Sequence, residues 1–143
     1  MEEKLQTRII FVCVGNSCRS QMAEGFARHY AREFALNAEI TSAGTRPEGY
    51  VHPTAIAVMH ERAIDISRQL SKSIKPEELL SYDYVITMGC SDKEIFPATF
   101  RGERRDWGME DPFGKPLDAY RKARDQIERK VVLLLREIRS TWS

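Results

Sequence analysis

The sequence predicts an α/β fold with a parallel sheet that is covered by helices on both faces. Segments with strand-like and helical patterns alternate along the chain, and such alternation implies crossover connections between parallel strands. The first apolar run is continuous, which is typical of a strand buried on both of its faces. The length of 143 residues suits one core, so we expect a single domain over residues 1–143.

The first strand and the first helix are predicted at residues 8–14 and 21–34. Residues 8–14 read Arg-Ile-Ile-Phe-Val-Cys-Val, a run of β-branched and apolar residues that favours a strand. A glycine-containing loop follows this strand. In the next segment Met22, Phe26 and Tyr30 recur every four residues, which places them on one side of a helix.

The middle of the chain predicts a strand and two helices. Residues 39–42 form the strand, which is closed by the pair Ala-Gly. Pro53 begins the next helix, which extends to about residue 63, because proline is favourable at the first helical position. Residues 76–80 predict a short second helix.

The last third of the chain predicts two strands and a long helix. Residues 83–88 read Asp-Tyr-Val-Ile-Thr-Met and form the third strand. The polar segment 103–111 holds a short strand around Trp107. The long helix covers 117–138, where apolar residues recur at helical intervals. These residues are Leu117, Tyr120, Ile127, Val131, Leu134 and Ile138.

Composition and charge exclude several classes of function. The formal net charge is +1 and 30% of the residues are charged, so neither a nucleic-acid partner nor a membrane partner is indicated. The apolar run at 9–14 is too short for a signal sequence, and no segment is long enough to span a bilayer. We therefore expect a cytoplasmic protein. An odd number of cysteines, three, argues against a framework of structural disulfides.

The loop after the first strand has the residues of an anion-binding site. Five residues separate Cys13 from Arg19, and a helix follows. Gly15 and Asn16 readily adopt the positive φ angles that a tight loop needs. A loop that leads into a helix N-terminus directs backbone N–H groups inward, and the arginine fork fits two oxygens of a phosphate-like anion. The predicted oxyanion loop comprises Cys13, Val14, Gly15, Asn16, Ser17, Cys18 and Arg19.

The context of this loop also predicts a reactive thiol. Cys-x5-Arg alone occurs often by chance, but the preceding strand, the Gly-Asn pair and the following helix favour a functional site. The positive field of the helix N-terminus and of Arg19 favours the thiolate form of Cys13, which is the nucleophilic form. Ser20 is expected to donate a hydrogen bond to the Cys13 sulfur and to ease its departure in a later step.

The loop and its flanks resemble the low-molecular-weight protein tyrosine phosphatase superfamily, and in particular its arsenate reductase branch. The signature runs from Val12 to Glu24 and reads Val-Cys-Val-Gly-Asn-Ser-Cys-Arg-Ser-Gln-Met-Ala-Glu. The resemblance extends over nearly the whole chain. Further matching segments are Ser42-Ala43-Gly44-Thr45, Val51-His52-Pro53 with Ala55, Ile56 and Met59, Ile64-Asp65-Ile66-Ser67, Asp106-Trp107 and Asp111-Pro112-Phe113-Gly114-Lys115.

This resemblance implies a four-stranded parallel sheet flanked by helices, and it implies roles for the site residues. Cys13 would be the nucleophile, while the loop amides and Arg19 would bind the oxyanion. Asp111 would be the general acid that protonates the leaving oxygen. Without the resemblance, an Asp-Pro pair favours a solvated turn, because such pairs are common in turns.

Two chemistries in this superfamily begin with the same attack by Cys13. A phosphatase then hydrolyses a phosphocysteine with water, whereas an arsenate reductase uses a second thiol to release arsenite and form a disulfide. Cys90 follows the third predicted strand, which places it at the same edge of the sheet as Cys13. We therefore predict an arsenate reductase that works through a Cys13–Cys90 disulfide or an external thiol.

Several alternatives stay open at this point. Thioredoxin-coupled members carry a third redox cysteine, but residues 91–97 contain none, and Met88 occupies a place where other members have a cysteine. The thiol donor is therefore open among thioredoxin, glutathione with glutaredoxin, and another thiol. The alternative function is a phosphatase for phosphotyrosine or aryl phosphates, with Phe113 as one aromatic residue beside the acid. The third candidate function is a non-catalytic anion-binding or redox-sensing module. Separately, Cys18 is expected to be a small packed side chain of the loop.

No metal and no cofactor are predicted. Some arsenate reductases bind a monovalent cation behind the loop, with residues that match Asn16, Glu24 and Ser42. Their fourth ligand, an aspartate, matches Lys72, whose ammonium would replace the cation and pair with Glu24. The three histidines lack the spacing of paired metal ligands, and His52 is expected to be a loop or cap residue.

Overall fold

Four parallel strands form the sheet in the computed structural model, which describes residues 6–89 and 96–141. Their order across the sheet is β2-β1-β3-β4. The strands are β1 (Thr7–Cys13), β2 (Ala38–Gly44), β3 (Tyr84–Thr87) and β4 (Glu103–Asp106). The predicted fold class is confirmed, whereas the assignment of all of residues 1–143 to one domain stays a prediction.

Three α-helices and one 3₁₀ helix accompany these strands within the described residues, and the last α-helix follows β4. They are α1 (Arg19–Glu33), α2 (Pro53–His60), the 3₁₀ helix (Pro76–Ser81) and α3 (Leu117–Ser140). None of the helices in this part of the chain has both the length and the apolar character that a membrane span requires.

The central strand β1 divides the core into two layers, because its side chains alternate between the faces of the sheet. Ile9 and Phe11 belong to the larger layer, which contains buried residues of all three α-helices. Ile10 and Val12 belong to the smaller layer, which includes Leu79 of the 3₁₀ helix. The continuous apolar run therefore matches a strand that is buried on both faces.

The carboxyl ends of the four strands meet at one edge of the sheet. Cys13 pairs with Gly44 of β2, while Val12 pairs with Thr87 of β3, which in turn pairs with Asp106 of β4. The segments that follow these residues therefore emerge side by side. This arrangement brings the loop after β1 close to the segments after β2, β3 and β4.

Helix α2 ends three residues earlier than the sequence predicts. Ala63 has φ of 60°, which lies in the left-handed region. Its N–H donates to the His60 carbonyl at 2.9 Å, and the N–H of Ile64 donates to the Met59 carbonyl at 3.1 Å. These two bonds form a Schellman motif, which satisfies the last carbonyls of a helix and stops it.

Ion pairs link the C-cap residue of α2, Glu61, to α3 on the surface. The Glu61 carboxylate lies 2.8 Å from Arg121 Nη2 and 2.6 Å from Arg124 Nη1. Hydrogen bonds from Arg121 and Arg124 lower the pKa of Glu61 to about 2. Glu61 is therefore ionised in the folded protein well below the pH at which a free glutamate gains its proton.

Candidate active site

The oxyanion loop, residues 13–19, turns its backbone carbonyls outward. The segment after β2 runs alongside it, and four amides of this segment donate to loop carbonyls. Because the N–H and C=O of a peptide unit point in opposite directions, outward carbonyls leave loop amides directed inward. The bonds are Thr45 to Cys13 (3.1 Å), Arg46 to Val14 (2.8 Å), Glu48 to Gly15 (2.9 Å) and His52 to Ser17 (2.8 Å).

Gly44 permits this close approach between the end of β2 and the loop. A Cβ atom at position 44 would lie 2.6 Å from the carbonyl oxygen of Val14 and 3.0 Å from the Asn16 nitrogen. Any other residue would therefore push the two segments apart. Asn16 itself has φ of 46°, so the predicted left-handed residue is Asn16, whereas Gly15 does not adopt a positive φ.

The loop ends at the N-terminus of α1, as the sequence predicts. Cys18 is the N-cap residue, its side chain makes no capping hydrogen bond, and the first turn contains no acidic residue. The first-turn amides and their partial positive charge are thus not neutralised by a side chain of the helix. This electrostatic arrangement suits an anion.

Two groups donate toward the sulfur of Cys13, which is 2% exposed. The Asn16 amide donates to Sγ at 3.2 Å, and Ser20 Oγ lies 2.9 Å from it. Asn16 Nδ2 donates to the same Ser20 oxygen at 2.8 Å, which directs the serine proton toward the sulfur. The structure therefore places Ser20 where the sequence predicts it.

Arg19 joins the loop to the segments after β3 and β4. Its Nη1 donates to the carbonyls of Met88, at 2.6 Å, and Met109, at 2.9 Å. Its Nη2 lies 3.6 Å from Asp111 Oδ2. Asp111 also accepts the Phe113 amide at 3.0 Å, which leaves the half-exposed carboxyl beside the mouth of the loop.

The two buried cysteines of the loop differ in the groups that surround their sulfur atoms. Cys18 is 4% exposed, and burial, followed by the charges of Asp111 and Cys13, raises the pKa of its thiol. A thiol held in the protonated form is a poor nucleophile. Cys18 thus fits the packed side chain that we expect from the sequence, while Cys90 lies outside the described residues.

The family of the chain follows from its sequence as well as from this geometry. Residues 8–142 match the profile of the low molecular weight phosphotyrosine protein phosphatase family. The chain belongs to this family.

Several relatives within this fold are arsenate reductases. The chain is 41% identical over 140 residues to a glutaredoxin arsenate reductase of Synechocystis, with 92% of this chain and 98% of the relative covered. It also resembles the structure of an arsenate reductase in the phosphate-binding state, with a TM-score of 0.81 and 40% identity over 93% of this chain and 99% of that one. An arginine phosphatase structure gives a TM-score of 0.83 at 29% identity, covering 93% and 96%.

The cation position behind the loop differs from the expectation. Ser42 Oγ donates to Glu24 Oε1 at 2.6 Å and accepts from Asn16 Nδ2 at 2.9 Å, so these three residues lie together. The ion pair of Glu24 is with Arg28 Nη2, at 2.8 Å, rather than with the Lys72 ammonium. Arg28 lies one helical turn after Glu24 on the same face of α1. Lys72 instead uses its backbone amide to hold Asn16 Oδ1 at 2.9 Å.

Among the described residues, no group of three or more His, Cys, Asp or Glu side chains is arranged to hold a metal ion.

His52 is the N-cap of α2, as the sequence predicts, since its Nδ1 accepts the Thr54 amide at 3.2 Å. Its ring also packs edge-on against Phe113 at a centroid distance of 5.2 Å. Phe113 is 53% exposed, so one aromatic ring is available beside Asp111.

Sequence reasoning did not single out two residues that shape the loop. Gln21 is fully buried, and its Nε2 donates to the carbonyls of Asn16 and Leu70, both at 2.9 Å. Glu48 accepts a hydrogen bond from Ser17 Oγ at 3.1 Å. A glutamine in the first turn of a predicted helix only weakly indicates the contact of Gln21 with the loop carbonyl. No local sequence pattern indicates the contact of Glu48 with Ser17.

Proposed function

We propose that the protein is a thiol-dependent arsenate reductase. The observation that carries this proposal is the environment of the Cys13 sulfur, which receives the Asn16 amide and the Ser20 hydroxyl in a buried loop beside Arg19. Such a loop suits a tetrahedral oxyanion and a thiolate that attacks it. The arsenate reductases at 41% and 40% identity support arsenate as the substrate.

In the first proposed step, the Cys13 thiolate attacks the arsenic atom. An S–As bond forms, an As–O bond breaks, and Asp111 gives a proton to the departing oxygen, which leaves as water. Loop amides and Arg19 stabilise the charge on the remaining oxygens. The distance of 3.6 Å between Arg19 Nη2 and Asp111 Oδ2 supports this pairing of acid and anion site.

In the second proposed step, another thiolate attacks the Cys13 sulfur. An S–S bond forms and the S–As bond breaks, and its electron pair stays on arsenic, which passes from As(V) to As(III) and leaves as arsenite. Cys90 is our candidate for this thiol. It follows Gly89, whose amide donates to Asp106 Oδ1 at 3.0 Å, and Met88, whose carbonyl accepts from Arg19.

An external thiol then reduces the disulfide, or attacks the arsenic adduct of Cys13 in place of Cys90. The Synechocystis relative is named a glutaredoxin arsenate reductase, which supports a small thiol reductant of the glutaredoxin, thioredoxin or glutathione type. We further propose a cytoplasmic location, because the cycle requires that Cys13 return to the thiol form.

A phosphatase is the second candidate function. The same nucleophile, arginine and acid serve a phosphate ester, with water in place of the second thiol. The half-exposed Phe113 ring beside Asp111 favours a substrate with a flat apolar group, such as an aryl phosphate.

A single-turnover assay tests the proposal and separates the two candidates. Fully reduced protein without external thiol is mixed with arsenate, and arsenite and free thiols are counted. We expect about one arsenite per protein molecule and the loss of two thiols, which map to Cys13 and Cys90. Cys90→Ser should abolish arsenite release under these conditions, while it should retain the cleavage of p-nitrophenyl phosphate by Cys13.

The phosphatase alternative gives the opposite result. Wild-type protein would then cleave p-nitrophenyl phosphate yet release no arsenite, even after glutathione is added. If Cys90→Ser alone loses arsenite release and glutathione restores it, the reductase stands and the role of Cys90 as the internal thiol is supported. Full turnover by Cys90→Ser without any external thiol would remove Cys90 from the mechanism.

A further inference from the structure

Glu48 places a carboxylate on the rim of the oxyanion loop. Its Oε1 accepts the Ser17 hydroxyl at 3.1 Å, and a Cβ atom built on Gly15 would lie 2.6 Å from the same oxygen. None of the ion pairs between described residues includes Glu48. A carboxylate that takes part in none of these ion pairs therefore lies against the proposed oxyanion loop.

The backbone holds this carboxylate in place. The Glu48 amide donates to the Gly15 carbonyl at 2.9 Å. The next amide, of Gly49, donates to Ser71 Oγ at 3.0 Å, and Ser71 Oγ lies 3.3 Å from the same Gly15 carbonyl. The side chain thus begins from a backbone that is fixed on the loop, and Ser17 orients its end.

Glu48 adds a second carboxylate to the charged groups around the loop. Arg19 is the cation of the loop, and Asp111 lies beside it at 3.6 Å on the side of the β4 segment. Glu48 approaches from the other segment, which follows β2. Partial desolvation, followed by the charge of Glu48 and a hydrogen bond with its carboxylate, raises the pKa of the neighbouring Tyr50 hydroxyl. Two carboxylates, from two different segments, therefore border the same anion site.

We propose that Glu48 determines which charge state of a tetrahedral oxyanion the loop accepts, by repelling doubly charged forms more strongly than singly charged ones. This inference rests on the proposed oxyanion loop. Repulsion between fixed charges scales with the charge of the ligand. For a separation of about 6 Å in a water-like dielectric, Coulomb's law gives about a threefold loss of affinity for a monoanion and about tenfold for a dianion.

This selection fits the chemistry of arsenate reduction. Singly charged arsenate carries two hydroxyl groups, one of which leaves as water once Asp111 supplies a proton. A loop that disfavours the dianion therefore favours the form that is closer to losing water. The product arsenite is neutral, so Glu48 does not hinder its formation in the loop.

Two unreactive oxyanions of different charge test the inference at a single pH. At about pH 5.5 sulfate is a dianion and inorganic phosphate is mainly a monoanion. Affinities of both anions for the reduced protein are measured at low ionic strength, where charges are weakly screened. Glu48→Gln removes the charge but keeps an oxygen that accepts from Ser17, and Glu33→Gln removes a matched charge at the far end of α1.

We expect Glu48→Gln to strengthen sulfate binding about tenfold and phosphate binding about threefold. Glu33→Gln should change both by less than about twofold, because its charge is distant and screened. Glu48→Lys should strengthen sulfate still further relative to phosphate, which provides a second variant if the first is poorly folded.

Equal strengthening of both anions, or no change in either, would overturn the inference, because a charge effect must grow with the charge of the ligand. A wild-type protein that binds neither anion would instead overturn the proposed oxyanion loop itself. The two failures are thus distinguishable within one set of titrations.

Discussion

Ser20→Ala should make Cys13 less reactive toward small alkylating reagents. Ser20 Oγ lies 2.9 Å from the sulfur and accepts from Asn16 Nδ2 at 2.8 Å, so its proton is directed at the sulfur. A hydrogen bond to a charged group contributes about 1.5–3 kcal/mol. Since about 1.4 kcal/mol corresponds to a factor of ten, the rate of Cys13 alkylation should fall about ten- to hundredfold.

The assay is the alkylation of Cys13 by iodoacetamide at about pH 6, followed by mass spectrometry of the modified cysteine. Ser42→Ala is the matched control, because it removes another fully buried hydroxyl that binds Asn16 without touching the sulfur. We expect the control to change the rate by less than about threefold. Equal effects of the two variants would mean that Ser20 acts only through the structure of the loop, and the reasoning above would be wrong.

Two further substitutions test the surroundings of the site and the surface. Gly89→Ala should destabilise the protein by about 1–3 kcal/mol, because position 89 has φ of 96° and the added Cβ would lie 2.9 Å from the Met109 carbonyl. Gly114→Ala is the control for backbone strain alone, because position 114 has φ of 79° and an added Cβ would have no atom within 4 Å. If thermal unfolding shows an equal loss of stability for both variants, the contact with Met109 is not the cause. Glu61→Gln should lower the melting temperature at neutral pH, because a carboxyl whose pKa is lowered from 4.5 to about 2 stabilises the fold above pH 4.5. The difference from wild type should shrink as the pH falls from 4.5 to about 2, and a difference that does not depend on pH would refute the ion-pair explanation.

The sequence by itself determined the fold class and the position of the oxyanion loop. A continuous apolar run identifies a strand buried on both faces, and helical periodicity identifies α1 and α3, because both patterns are repeated over many neighbouring residues. The contact between Ser20 and Cys13 is also local, since the two residues are seven positions apart in the loop and the first turn of α1. The family signature then added the four-stranded sheet and the role proposed for Asp111.

Only the tertiary structure decided which groups complete the surroundings of the loop. Arg19 binds the carbonyls of Met88 and Met109, which are 69 and 90 positions away along the chain. Glu48 lies in a segment without helical or strand periodicity, so its place on the rim depends on how the amides after β2 pair with the loop carbonyls. Glu24 pairs with Arg28 rather than Lys72, because α1 brings the arginine within reach while the lysine backbone is held by Asn16.

The physical reason for this difference is how far apart along the chain the interacting residues lie. Strand and helix patterns depend on residues that are close together in the sequence. The contacts of Arg19 and Glu48, in contrast, require that the ends of several parallel strands meet at one edge of the sheet. The register between β1, β2 and β3 determines which residues lie side by side at this edge, and the register depends on the packing of both faces of the sheet. The sequence therefore locates Cys13, the proposed nucleophile, and Arg19, and the folded sheet determines which carboxylates surround them.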